Sequence, residues 1–144
     1  MPIRRANAVW NGNLKDGNGK LSLGSGAFEG NYSFLSRFDN GTGTNPEELI
    51  GAAHAGCFSM AFSHMLAENG FEPKSVSTKA EVKFEKEESG FVIKQITLIT
   101  EADIPNIDET KFLKFAEDAK NGCPVSKALK AVDIKLEAKL LSAA

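Results

Sequence analysis

The sequence predicts an α+β fold with a largely antiparallel β-sheet around a long central helix. Three observations carry this. Apolar residues alternate at period two near the start of the chain, between residues 76 and 100, and again near its end. One long apolar helix separates the first group from the second, and a shorter amphipathic helix follows. Strands grouped before and after helices, with hairpin signals between them, give an α+β architecture. The chain has 144 residues, the length of one typical domain, so residues 1–144 are expected to form a single unit.

The elements follow in order. Ala6 to Trp10 reads as a strand, and Lys15-Asp16-Gly17-Asn18-Gly19 as turn chemistry. Lys20 to Leu23 gives a second strand and Asn31 to Phe38 a third. Gly41-Thr42-Gly43-Thr44 then breaks the chain before a strong helix start. Asn45 is a good N-cap, Pro46 suits the first helical position, and Glu47 and Glu48 suit the positive end of the dipole. Asn45-x-x-Glu48 also resembles a capping box. The helix is expected to stop at Asn69-Gly70, giving ~24 residues and ~36 Å.

Val76, Thr78, Ala80, Val82 and Phe84 alternate, as do Ile96, Leu98 and Thr100, with Glu88-Ser89-Gly90 as a hairpin turn between them. Phe112, Phe115, Ala116 and Ala119 mark an amphipathic helix over Asp108 to Asn121. Cys123-Pro124-Val125-Ser126 begins a short helix, with Cys123 at its N-terminal edge. Val132 to Leu140 is a last alternating strand.

Composition excludes several classes. The chain is 42% hydrophobic and 25% charged with a formal net charge of −2, which is ordinary globular composition. It has no basic run of the kind that supports nucleic-acid binding. No apolar run approaches the ~18 residues that a membrane span needs, and the N-terminal MPIRRANAVWNG lacks a signal-peptide core. Two cysteines without an export signal predict a cytoplasmic protein with reduced thiols. They do not form a CxxC motif.

Between Leu49 and Ala67 the long helix is apolar almost all round, so it is expected to be buried on every side. Gly51, Ala52, Ala53, Ala55 and Gly56 leave room for another backbone. The same helix of a second subunit is expected there, although close approach to the chain's own sheet is an alternative. At ~100° per residue, Glu47 and Cys57 differ by about 80° around the axis, whereas Glu48 and Cys57 differ by about 180°. Glu47 is therefore the acid that shares a face with Cys57. Ten residues of helix are ~15 Å, beyond a Glu side chain. If Glu47 serves a cysteine site, it most simply serves Cys57 of a partner chain.

Each candidate has a bland reading beside its functional one. Cys57 alone reads as a buried small hydrophobe. Cys123 has the stronger local claim to reactivity, because a helix N-terminus lowers a thiol pKa. Arg37 is functional only if semi-buried, its fork holding a thiolate or a peroxide oxygen. His54 and Cys57, three apart on one helix, could ligate a metal with His64 or Cys123 added, though His64 lies about 15 Å from His54 along the helix. A non-catalytic structural dimer is a third reading.

TNPEELIGAAHAGCFSMAFSHML, followed about sixty residues later by NGCPVSKAL, closely resembles the OsmC/Ohr family of thiol-dependent peroxidases, across essentially the whole chain. Within it, TNPEELIGAAHA looks like the OsmC branch rather than the organic hydroperoxide resistance branch. The resemblance implies an intertwined α+β homodimer with active sites at the subunit interface. It implies that Cys57 is the peroxidatic cysteine, Cys123 the resolving cysteine, and Arg37 and Glu47 the residues that assist Cys57. It further implies organic hydroperoxides as substrates, an external dithiol (a lipoylated protein, at family level) as reductant, and no metal, haem or flavin cofactor.

Overall fold

The computed structural model describes residues 2–141. The chain divides between Leu49 and Ile50 into two compact units.

The first unit holds β1 (Ala6–Asn11), β2 (Asn18–Leu23) and β3 (Glu29–Tyr32), an antiparallel meander in sequence order. Gly19 faces Trp10 on one side and Tyr32 on the other. A Cβ there would lie 2.5 Å from the Tyr32 ring and 2.7 Å from the Trp10 ring. Glycine at this position lets the two rings close to 5.2 Å between centroids.

The third strand is shorter than expected. It ends at Tyr32, and the chain turns into a one-turn helix, α1 (Phe34–Phe38). Ser33 and Ser36 are the cause. Ser36 N–H donates to Ser33 Oγ at 3.1 Å and Ser33 N–H to Ser36 Oγ at 2.8 Å, a reciprocal capping box. The apolar alternation of Tyr32, Phe34 and Phe38 suggests a strand, but this local hydrogen bonding overrides it.

Helix α2 spans Pro46–Glu68, and Glu48 N–H donates to Asn45 Oδ1 at 2.7 Å, as the sequence predicts. The other half of the expected capping box is replaced. The Glu48 carboxylate accepts the Thr44 hydroxyl at 2.9 Å instead. The helix ends just before Gly70, whose φ is +87°.

The second unit is built on α2 and on β4 (Ser75–Glu87), β5 (Gly90–Asp103), α3 (Glu109–Gly122), α4 (Pro124–Ala128) and β6 (Asp133–Leu141). β4 and β5 form the predicted hairpin, with Gly90 at φ +120°. β6 pairs with β5 in parallel, reached through the α3–α4 crossover, so the sheet is mixed at this edge. Phe58, Phe62 and Leu66 of α2 meet Ile96 and Leu98 of β5 and Phe112 of α3 in a fully buried core. Phe62 packs on Phe58 and on Phe112 at 5.6 and 5.7 Å between centroids, and truncating such a side chain costs ~3–5 kcal/mol.

Of two expectations about α2, one is half met within a single chain and the other is corrected. Within one chain Gly51, His54, Phe58, Phe62 and Leu66 face the core, whereas Ala52, Ala53, Gly56 and Met60 are exposed, Met60 to 76%, on the face where a second subunit is expected. The small residues thus lie partly on an open face and not wholly against the chain's own sheet. Nor does the chain lack an apolar run of membrane length. The 23 residues of α2 are, by length and composition, long and apolar enough to cross a membrane. Polar residues scattered through the run hide this from a search for an unbroken stretch. Its inward stripe is used for packing.

Candidate active site

Cys57 sits midway along α2. Cys123 sits where α3 hands over to α4, its N–H donating to Ala119 O at 3.0 Å and its carbonyl accepting from Lys127 N–H at 3.1 Å. Pro124 forces the break between the helices, because it cannot continue the α3 hydrogen-bond ladder but suits the first turn of α4. The result is a pair of free thiols with sulfurs 2.9 Å apart. Cys123 is wholly buried and Cys57 half-buried.

Either thiol can donate to the other, but they do not ionise equally. Burial pushes the Cys57 thiol up, its hydrogen bond to Cys123 adds to this, and only the Val125 N–H opposes it. Burial also acts against the Cys123 thiolate. It is outweighed by the hydrogen bond from Cys57, the Ser126 N–H and hydroxyl, and the Val125 N–H, so Cys123 falls below its ordinary value. Taken by itself, this unit makes Cys123 the more acidic thiol, as the position of Cys123 in the sequence predicts.

Arg37 and Glu47 form the second pair, within the first unit. Arg37 Nε donates to Glu47 Oε1 at 3.1 Å and Nη2 to Oε2 at 2.9 Å, a two-pronged fork. Glu47 is 7% exposed, and the Arg37 fork satisfies both of its carboxylate oxygens. The separation of the two acids is as expected: Glu48 is engaged at the cap and Glu47 in the fork. Arg37 also lies over the Phe38 ring at 5.4 Å. It borders a cleft of about 380 Å³ lined by Trp10, Leu14, Tyr32, Phe34 and Phe38.

His54, a candidate metal ligand by spacing, points elsewhere. Its Nε2 lies 2.7 Å from Ser126 Oγ, and both residues are buried. His64 pairs with Glu68 at 2.8 Å on the exposed side. Among the described residues, no group of three or more His, Cys, Asp or Glu side chains converges as a metal site would. Sequence reasoning did not single out Ser126. The polar residue inside the GCPVS turn, directly after a cysteine and a proline, was the signal available.

The chain matches the sequence profile described as "OsmC-like protein" over residues 39–137. It is 48% identical to Peroxiredoxin OsmC of Escherichia coli (strain K12) over 140 residues, covering 96% of this chain and 97% of that protein. It is 39% identical to the organic hydroperoxide resistance protein OhrB of Bacillus subtilis (strain 168), covering 68% and 71% of the two chains. The crystal structure of B. subtilis OhrB superposes with a TM-score of 0.74 at 30% identity, covering 94% of this chain and 98% of that one.

Proposed function

This chain belongs to the OsmC-like protein family, and from that premise we infer that it is a thiol-dependent peroxidase acting on organic hydroperoxides. The observation that carries the reading is the 2.9 Å approach of Cys57 and Cys123. Two cysteines this close, one half-exposed and one buried, suit a peroxidatic and a resolving thiol in that order.

The Cys57 thiolate attacks one peroxide oxygen, the O–O bond breaks, and the alkoxide takes a proton and leaves as the alcohol. Cys57 is now a sulfenic acid. Cys123 attacks its sulfur, the S–O bond breaks, and hydroxide leaves as water with the thiol proton. An external dithiol then reduces the Cys57–Cys123 disulfide by exchange. Burial and Cys123 disfavour a Cys57 thiolate, so this order needs a cation beside Cys57. We assign that role to Arg37, which also polarises the O–O bond, and assign to Glu47 the holding of the Arg37 fork. The aromatic cleft bordered by Arg37 would seat the alkyl part of the peroxide. The reading calls on no metal, haem or flavin.

The acting unit is a homodimer in which each 144-residue chain contributes one domain. Two features favour it: the exposed small-residue face of α2, and the ~15 Å of helix between Glu47 and Cys57, which a partner's Glu47 would bypass.

Free thiols counted before and after one equivalent of cumene hydroperoxide test the chemistry. Loss of both thiols, with a Cys57–Cys123 disulfide found by peptide mapping, is expected. Two surviving thiols, or full turnover by Cys57→Ser, would overturn it.

A further inference from the structure

The mechanism above leaves unused one buried titratable side chain close to the thiols. His54 has no exposed surface, and its Nδ1 meets no hydrogen-bond partner among the described residues. Its Nε2 meets Ser126 Oγ at 2.7 Å; Ser126 follows Cys123 by three residues, within α4, where its hydroxyl favours the Cys123 thiolate, and Cys123 Sγ lies 2.9 Å from Cys57 Sγ. The Cys123–Ser126 turn thus joins two contacts, imidazole to hydroxyl and sulfur to sulfur, into one line of four side chains from α2, the α3–α4 junction and α4.

The direction of the protons along this line can be deduced. A buried N–H without an acceptor is rarer and costlier than a buried lone pair without a donor. The imidazole proton therefore sits on Nε2, and Nδ1 is bare. Nε2–H then donates to Ser126 Oγ, and the hydroxyl's own proton is left to point onward. We propose that His54 is a positioning residue for the resolving step, fixing the Ser126 hydroxyl so that its proton is aimed at Cys123 Sγ.

This rests on Cys123 being the resolving thiol. The line holds Cys123 as a thiolate oriented toward Cys57. When Cys57 becomes a sulfenic acid, a Cys123 lone pair forms the S–S bond, the S–O pair leaves with oxygen as hydroxide, and the proton that Cys123 released to solvent on ionising is taken back from solvent to complete water. No proton passes to His54. Burial keeps its imidazole neutral, so it acts as an oriented dipole and not as a base. The groups facing Cys123 Sγ are Cys57 from α2 and, from α4, the Ser126 hydroxyl and the Val125 and Ser126 N–H groups. His54 is the titratable group behind Ser126.

Two measurements test this. The chain has two histidines, so the imidazole nitrogen NMR spectrum of the reduced wild-type protein has two rings to assign. His54 is expected as the Nε2–H tautomer. An Nδ1–H tautomer would overturn the proposal, because Ser126 would then have to donate to His54. The second measurement uses the Cys57→Ser background and reads the pH dependence of Cys123 alkylation by iodoacetamide. Ser126→Ala and His54→Phe should each raise the Cys123 pKa by about one unit, His54→Gln should restore it, and His54→Phe should add nothing once Ser126 is Ala. A Cys123 profile unmoved by both Ser126→Ala and His54→Phe would overturn it too. Neither measurement consumes peroxide. Failure here is thus distinct from failure of the peroxidase reading, which the wild-type disulfide assay decides.

Discussion

Cys57 Sγ lies 2.9 Å from Cys123 Sγ although 66 residues separate them in the chain. The contact requires the buried stripe of α2 and the Pro124 break to be built together. It makes the two thiols one chemical unit, so removing either changes the fate of the other.

Cys57→Ser should abolish reduction of cumene hydroperoxide. Cys123→Ser should behave differently. It should release one equivalent of alcohol and then stall, because nothing condenses with the sulfenic acid. Intact-mass spectra after increasing peroxide should show one added oxygen on Cys57, then two and three as it overoxidises. A Cys123→Ser protein that turns over normally with a dithiol would remove the resolving role.

The Arg37–Glu47 fork predicts a loss of activity at small cost in fold. Glu47→Gln keeps the shape of the side chain and removes its charge. Losing one charge-assisted hydrogen-bond pair costs ~1.5–3 kcal/mol, so kcat/KM for peroxide should fall by roughly ten- to a hundredfold if Arg37 must be held still. Arg37→Lys should fall at least as far, because an ammonium cannot make the fork. Arg37→Ala should also lower Tm, since it strands a Glu47 that is 7% exposed. That penalty stays below the ~3–5 kcal/mol of a fully buried pair, because the Arg37 side chain is 35% exposed. Steady-state kinetics alongside thermal melts separate the two effects. Unchanged kcat/KM in Glu47→Gln would leave the fork a purely structural tie.

His54 makes a pH prediction about stability. Burial holds its pKa below the ordinary 6.5, so on lowering pH the unfolded chain binds this proton before the folded one. A depressed folded-state pKa contributes stability that is complete above the unfolded value of 6.5 and is lost as pH falls toward the folded value. Tm should therefore fall more steeply for the wild type than for His54→Gln as pH is lowered below 6.5. Parallel curves for the two proteins would mean that His54 is not held neutral.

How much of this was legible in sequence depends on range. The β4–β5 hairpin, α3 and the Asn45 cap rest on local periodicity and capping chemistry, and all three appear where Val76 to Thr100, Phe112 to Ala119 and Asn45 place them. The third strand was misread from Asn31 to Phe38, because side-chain hydrogen bonding between Ser33 and Ser36 competes with apolar alternation. The parallel pairing of β6 could not be read from its own alternation, since that pattern is the same for either direction. The acids of α2 were separable because helical angle is a local quantity. The His54–Ser126 contact spans 72 residues and follows no local rule, so spacing suggested a metal ligand where the fold builds a hydrogen bond.

Dimerisation and catalysis make one joint prediction. If Glu47 serves the partner's Cys57, two dead proteins should rescue each other. Cys57→Ser lacks the nucleophile and Glu47→Ala lacks the acid. In a mixed dimer, the Cys57 of the Glu47→Ala chain would meet the Glu47 of the Cys57→Ser chain, giving one complete site. Random mixing makes half of all dimers mixed, with one good site in two, so about a quarter of wild-type activity should return. A site completed within one chain gives no rescue, since neither parent then carries both residues. Placing a charge on the exposed face of α2, as in Ala53→Glu, should abolish the rescue and convert the protein to monomer in sedimentation velocity. Rescue without dimer, or dimer without rescue, would separate the interface from the chemistry and return Glu47 to its own chain.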